Sequence, residues 1–257
     1  KFKLNPRINE NPYLDNQLKQ LEMQFNATKQ RLQNKFGTQK FIVYFQSFTN
    51  TYAPFSTLKA LYEKALSFDN VIGLSIGTRT DCVTDEILDY LVDLSKDKEI
   101  WIEFGIQSFF DETLININRG DTSSNMKYWI NRSKEKGLNV CGHLIYGLPN
   151  ETQEMMLETF RQTVELKVDS IKFHPLYVVK NTLLTNEFKK GRFTPISEEL
   201  YIDTVVKSIK NLPENISIQR ITAGINDSTL LSPDWCRDKH TQMKNIRLAL
   251  EKEGFNY

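Results

Sequence analysis

His143-Leu144-Ile145-Tyr146-Gly147-Leu148-Pro149, followed at once by Asn150-Glu151-Thr152, is the stretch that decides the fold. An apolar strand runs into a Gly-Leu-Pro turn, and a helix start follows with no spacer. Upstream, Glu103-Phe104-Gly105-Ile106-Gln107-Ser108-Phe109 leads to Asn118-Arg119-Gly120 and repeats the arrangement. Polar groups gather where strands give way to loops, which is how an α/β barrel builds a ligand site.

Working outward, the same alternation fills the chain. Leu18, Leu21, Phe25, Thr28 and Leu32 are spaced as a helix with one buried face up to Phe36. Phe41-Ile42-Val43-Tyr44-Phe45 is a continuous apolar run, expected for a strand buried on both faces. Helix follows over 55–66, strand over 71–76, and a helix opened by Thr84 with Asp85 and Glu86 in its first turn. Strand is expected over 99–104, helix over 123–136 with Gly137 as its stop, strand over 138–145 and helix over 152–166. Strand over 169–174, helix over 197–212 started by Ser197, a short strand over 216–220 and a closing helix over 240–253 complete the series. Phe2-Lys3-Leu4 reads as a short β-like fragment, and Pro6 to Asn16 as polar and turn-rich.

Regular alternation implies a parallel sheet. No Gly-x-Gly-x-x-Gly follows a first strand and no Walker loop is present, which favours a barrel over a doubly wound nucleotide fold. The expected fold class is α/β, a partial TIM barrel of (β/α)6 type with a C-terminal α/β extension. Residues 1–180 would form the barrel core and 181–257 an extension packed on it.

With 257 residues there is ample chain for a core, and 40% hydrophobic with 25% charged residues is an ordinary globular balance. A formal net charge of +1 gives no support for a nucleic-acid or membrane surface. No apolar run approaches the roughly 20 residues a membrane span needs. Cys82, Cys141 and Cys236 are few, odd in number and widely spaced. They argue against a disulfide framework and make a reducing cytoplasm the expected location. Cys82 and Cys141 read as buried thiols; Cys236, beside Trp235 in an expected loop, could be reactive. Because the sequence opens on Lys1 rather than Met, its beginning is expected to have been cut, processed or left out.

The segments Gly105 to Glu112, Asn118-Arg119-Gly120 and His143 to Pro149 resemble the core of radical SAM enzymes. The nearest branch holds oxygen-independent coproporphyrinogen oxidase and the Elongator catalytic subunit, and closer still is the YhcC-like bacterial group. Tyr44 to Thr51, Gly77 to Cys82 and Lys172 to Leu176 resemble that group in order and spacing, so the likeness runs from about Phe41 to Trp235. It implies S-adenosylmethionine (SAM), a [4Fe-4S] cluster, reductive cleavage to a 5′-deoxyadenosyl radical acting on a substrate, and an electron donor such as flavodoxin or ferredoxin.

By that resemblance Gln107 would hydrogen-bond the SAM ribose, an amide being able to donate and accept; it could instead serve only the turn. Arg119 would hold the methionyl carboxylate with its fork, or be an ordinary surface arginine. His143 stands where relatives carry an Asp for the ribose, and could equally be a buried structural histidine. Gly77 stands where relatives have a Glu. Gln46-Ser47-Phe48-Thr49 replaces a Gly-Gly-Glu-type segment, so Gln46 and Thr78 mark a location more than a chemistry. Leu176 and Tyr177 could meet adenine, or simply pack. Lys172, His174 and Arg220 would line the substrate side, Lys172 and His174 sharing a strand face. Glu103, a carboxylate in a buried strand, needs a partner, for which Arg79 or Lys172 is expected.

One departure stands out. The family holds its cluster on a Cys-x3-Cys-x2-Cys loop or close variant, because such clusters need thiolates. The three cysteines here cannot form it. The loop is expected to have been left out of this sequence; the alternative is a relative that binds SAM or a partner without catalysis. A metal- or Schiff-base-dependent TIM-barrel enzyme, an aldolase for example, is a further rival, supported by Lys172 in a strand with His174 nearby.

Overall fold

In a computed structural model, residues 13–255 are described; the expected fragment Phe2-Lys3-Leu4 lies outside them. Nine α-helices and eight strands occur among those residues. The chain divides into two compact units, residues 1–104 with 132–140, and residues 105–131 with 141–257. Six strands are hydrogen-bonded in the order β1-β2-β3-β4-β5-β7, and β6 pairs with β8 in a separate two-stranded sheet.

The first unit begins with α1 (Leu14–Phe36), β1 (Phe41–Phe45), α2 (Phe55–Leu66), β2 (Val71–Thr78) and α3 (Asp85–Ser95). Strand β3 (Glu99–Gln107) follows and continues into the second unit. β1 and β3 both pair parallel with β2, Phe45 opposite Ile76 and Gly77 opposite Glu103. The core is the set the apolar runs supply: Leu74 and Ile76 of β2, Ile100, Ile102 and Phe104 of β3, with Tyr62, Ala65, Leu88 and Leu91 from the helices. Gly73 allows β2 and β3 to close up, since a Cβ there would fall 1.9 Å from the Glu99 carbonyl oxygen. Thr84 caps α3 as expected, accepting the Ile87 N–H at 3.3 Å, a device worth about 1 kcal/mol.

β1 is an edge strand among the described residues, and only Phe41 is buried while Ile42 is exposed. An apolar run therefore did not mean burial on both faces. α1 starts at Leu14 and none of its residues is buried. Its apolar stripe is partly covered, Phe25 stacking on Phe68 at 4.5 Å between ring centroids.

The second unit holds α4 (Asp111–Asn116), most of α5 (Ser123–Glu135), most of β4 (Asn139–Tyr146), α6 (Gln153–Glu165) and β5 (Ser170–Pro175). After them come β6 (Val178–Val179), α7 (Leu183–Lys189), α8 (Glu198–Lys210), β7 (Ser217–Arg220), β8 (Leu230–Ser232) and α9 (Lys239–Lys252). β5 lies parallel between β4 and β7, whereas β6 and β8 run antiparallel. Leu144 and Tyr146 of β4 and Phe173 of β5 turn the same way, against Phe160 of α6 and Ser208 of α8. The fully buried Tyr146 hydroxyl is satisfied by Ser208 at 2.8 Å. Alternation then puts His143 and Ile145 of β4, and Lys172 and His174 of β5, on the opposite face.

Candidate functional site

In the first unit the segment after β1 is pinned to the end of β2. The Asn50 side-chain amide donates to the carbonyls of Phe45 at 3.0 Å and Gly77 at 2.8 Å, and its backbone N–H also donates to Gly77. Thr51 shares a 2.5 Å bond with Thr78 and donates to the Cys82 carbonyl. Thr78 is thus buried and engaged, while the Gln46 side chain is exposed. Gly77 sits in a tight place: a Cβ there would stand 3.1 Å from the Phe45 carbonyl oxygen. Phe48, at φ 66°, adopts a left-handed conformation that non-glycine residues rarely take.

Glu103 is 1% exposed and accepts from the Tyr44 hydroxyl at 2.9 Å and from Ser75. A buried carboxylate is tolerable only with such donors. The Arg79 fork reaches Asp81 with bonds of 2.7 and 2.5 Å. Neither hydroxyl partner was anticipated. A Tyr and a Ser on neighbouring strands carry no sequence signal until the register is known.

In the second unit Gln107 ends β3 at φ 68°, and the Ser108 N–H closes back on the Ile106 carbonyl at 2.9 Å. This is a γ-turn of the rare positive-φ hand, a strained geometry that persists only where the surroundings impose it. Ser108 supplies the restraint. Its hydroxyl donates to Glu151 at 2.5 Å, beyond the Gly-Leu-Pro turn, and accepts the Phe110 N–H. Phe109 N–H is held by Thr159. Burial pushes the Glu151 carboxyl up, opposed by hydrogen bonds from Ser108 and Thr113. Gly147, at φ 91°, makes the turn itself.

Arg119 is only 9% exposed, and its Nη2 donates to the Gly105 carbonyl at 2.5 Å, two residues before the strained turn. The short helix α4, which sequence reading missed, returns the chain to that point: the Arg119 N–H closes on the Leu114 carbonyl. Its one sequence signal was the acidic pair Asp111-Glu112 in the first turn.

His143 lies opposite Lys172, and Lys172 opposite Arg220, so three expected site residues form one cross-strand row. His174 stacks on Tyr177 at 5.0 Å between ring centroids, and its Nδ1 contacts the Pro175 carbonyl oxygen at 2.7 Å. Burial takes His174 down to about 4 against the pull of the Pro175 carbonyl, with smaller contributions from Arg220 and His143, so it is neutral at pH 7. Burial likewise pushes the Tyr177 phenol up. The Leu176 N–H is already committed to the Tyr146 carbonyl at 2.8 Å, which leaves that donor no free role toward adenine.

The cysteine expectations divide. Cys141 is buried, but Cys82 is half-buried. Cys236 is buried in a 3-10 turn over Asp234–Arg237, and burial takes its thiol up to about 12. It is a structural thiol, opposite to the reactive role considered above. None of the three is in a disulfide.

Residues 15–163 match the radical SAM superfamily, and residues 168–252 match the radical SAM C-terminal domain. The chain belongs to the radical SAM superfamily. It is 34% identical over 242 residues to Bacillus subtilis YtqA, covering 94% of this chain and 75% of that protein. It is 38% identical over 217 residues to Escherichia coli YhcC, covering 84% of this chain and 70% of that protein. Among solved structures, the archaeal Methanocaldococcus infernus Elp3 lacking its N-terminus aligns at TM-score 0.79 with 21% identity, over 92% of this chain and 60% of that one. Such identity speaks for the fold alone, and it bears out the α/β class of partial TIM barrel. Membership of the superfamily implies SAM binding and radical chemistry. Among the described residues, no helix is long and apolar enough to cross a membrane.

Proposed function

We propose that this chain binds SAM against the strand ends of its second unit and, in a protein that carries a cluster loop beside it, takes part in reductive SAM cleavage. The observation that carries this is Arg119. A surface arginine would be the ordinary outcome in an Asn- and Gly-rich loop, but this one is buried and held by Gly105 just behind the Gln107 turn. Its guanidinium suits a carboxylate by charge and by fork geometry. Gln107, fixed in a strained turn, presents an amide for a ribose hydroxyl, with His143 as a second polar contact. Tyr177 offers an aromatic face for adenine, and Leu176 its apolar side chain.

Bound SAM would supply a 5′-deoxyadenosyl radical, the protein contributing binding, orientation and exclusion of water. The donor set for a [4Fe-4S] cluster does not fit these residues. The three cysteines are dozens of positions apart, and the Cys236 thiol is held protonated by burial. No step is therefore assigned to a cluster on these 257 residues. An electron donor of flavodoxin or ferredoxin type, and a substrate placed near Lys172, His174 and Arg220, belong to the same proposal.

The test has two parts. Equilibrium dialysis with labelled SAM should show saturable binding that Arg119→Gln weakens. Anaerobic reconstitution of the protein bearing the cluster loop, with iron and sulfide, should yield 5′-deoxyadenosine after SAM and dithionite are added. A reconstituted cluster with no 5′-deoxyadenosine would overturn the catalytic part.

A further inference from the structure

The substrate side of the second unit has a chemical bias. Strand alternation places Lys172 and His174 on one face of β5, and register sets His143 beside Lys172 on β4 and Arg220 beside it on β7. The ionisable groups that act on His174 are Arg220 and His143; those that act on Tyr177 are Cys236 and Arg220. Within this unit no carboxylate is among them. Cys236 stays a neutral thiol, so it offers Arg220 no counter-charge.

Arg220 is half-buried, and no hydrogen bond or ion pair to its guanidinium occurs among the described residues. A half-buried guanidinium with no protein partner of its own is open to an anion that a ligand brings. Its position is rigidly built. Immediately after it, the Ile221 carbonyl accepts the Tyr201 hydroxyl at 2.8 Å, and the buried Thr222 bonds the buried Gln242 at 2.5 Å. Gly224 then approaches the Cys236 carbonyl so closely that a Cβ would fall 2.2 Å from its oxygen. The backbone from which Arg220 projects is therefore held in place. Arg220 also lines a cleft of 940 Å³ bounded by α8, β7 and α9, where Lys239 and His240 outnumber the one carboxylate, Glu214.

We infer that Arg220 is the seat of an oxyanion, a carboxylate or phosphate group carried by the substrate, with His174 as its flanking contact. This rests on the proposed substrate side but not on SAM cleavage. It makes Arg220 a specificity-determining residue: a substrate without the anion leaves the guanidinium uncompensated, whereas one with it gains two parallel charge-assisted bonds.

Titration calorimetry with inorganic phosphate and, separately, with succinate tests it on the intact protein. Saturable binding of either anion is expected, weakened about tenfold or more by Arg220→Gln and partly kept by Arg220→Lys, which retains charge but not the fork. Binding of phosphate alone or of succinate alone assigns the group. SAM affinity, measured on the same samples, should not follow the anion affinity. No saturable binding of either anion, or equal binding in wild type and Arg220→Gln, overturns the inference. A parallel loss of SAM affinity overturns it too, because Arg220 would then serve SAM. Melting curves check the fold of each variant, and His174→Gln, which also weakens the anion if the inference holds, replaces Arg220→Gln should that variant fail to fold. Absence of 5′-deoxyadenosine in the reconstituted protein would count against SAM cleavage and leave this result standing on its own.

Discussion

Gly147→Ala puts the central turn to a quantitative test. Gly147 sits at φ 91°, and a Cβ there would lie 2.7 Å from Cβ and 2.8 Å from Cγ2 of Ile196, itself buried. The variant thus meets two separate penalties. Holding an L-residue at positive φ costs about 1–2 kcal/mol. Forcing a methyl into a packed contact adds about 1–3 kcal/mol, because Ile196 must shift or leave its rotamer. Together they predict a loss of about 2–5 kcal/mol, which for a chain of this size lowers Tm by roughly 4–20 °C. Urea unfolding followed by far-UV circular dichroism measures the loss, provided the m-value is unchanged. Ile196→Ala removes Cγ2 and Cδ1 from the contact, so the double variant should be less destabilised than the two single losses summed. A loss of under about 0.5 kcal/mol for Gly147→Ala would refute both the backbone and the packing argument, since either alone exceeds it.

Other outcomes follow from the site. Arg119→Gln should lower SAM affinity roughly 10- to 100-fold by equilibrium dialysis, the effect of losing a charged hydrogen-bonded pair worth about 1.5–3 kcal/mol. Glu151 holds its proton longer in the folded state than the usual carboxyl value of 4.5. Its contribution is accordingly present at low pH and lost as pH rises from 4.5 through the raised folded value. Tm profiles from about pH 4 to about pH 8 should show that decline in wild type and a flatter one in Glu151→Gln, which keeps an acceptor for Ser108. Iodoacetamide on the native protein should modify half-buried Cys82 before Cys236, whose thiol sits near 12; peptide mass spectrometry showing Cys236 alkylated first would contradict its burial.

The central strands were legible because they combine apolar runs with sharp stops, as in Val71–Thr78 and Asn139–Tyr146. Helix starts were legible where a Thr or Ser precedes acidic residues, as at Thr84 and Ser197. Short elements were not. α4 has six residues, too few for a periodic signal, and β6 and β8 exist only because Val178 meets Ser232 across more than fifty residues of chain. The same limit applies to the site. Motif order located Gln107, Arg119 and His143, but the positive φ at Gln107 is invisible in a non-glycine residue. The Ser108–Glu151 bond and the hydroxyls on Glu103 arise from long-range register, which periodicity does not encode.

Asn50 has a consequence in entropy. By bonding both Phe45 and Gly77, it fixes the far end of the segment Gln46-Ser47-Phe48-Thr49 to the strand from which the segment departs. Ordering a free backbone costs about 1–2 kcal/mol for each residue, so four residues left loose would forfeit about 4–8 kcal/mol when a ligand arrived. Here folding has already met that cost. Whatever touches the backbone of 46–49 binds to a preformed surface, and its affinity keeps what a floppy loop would have taken away.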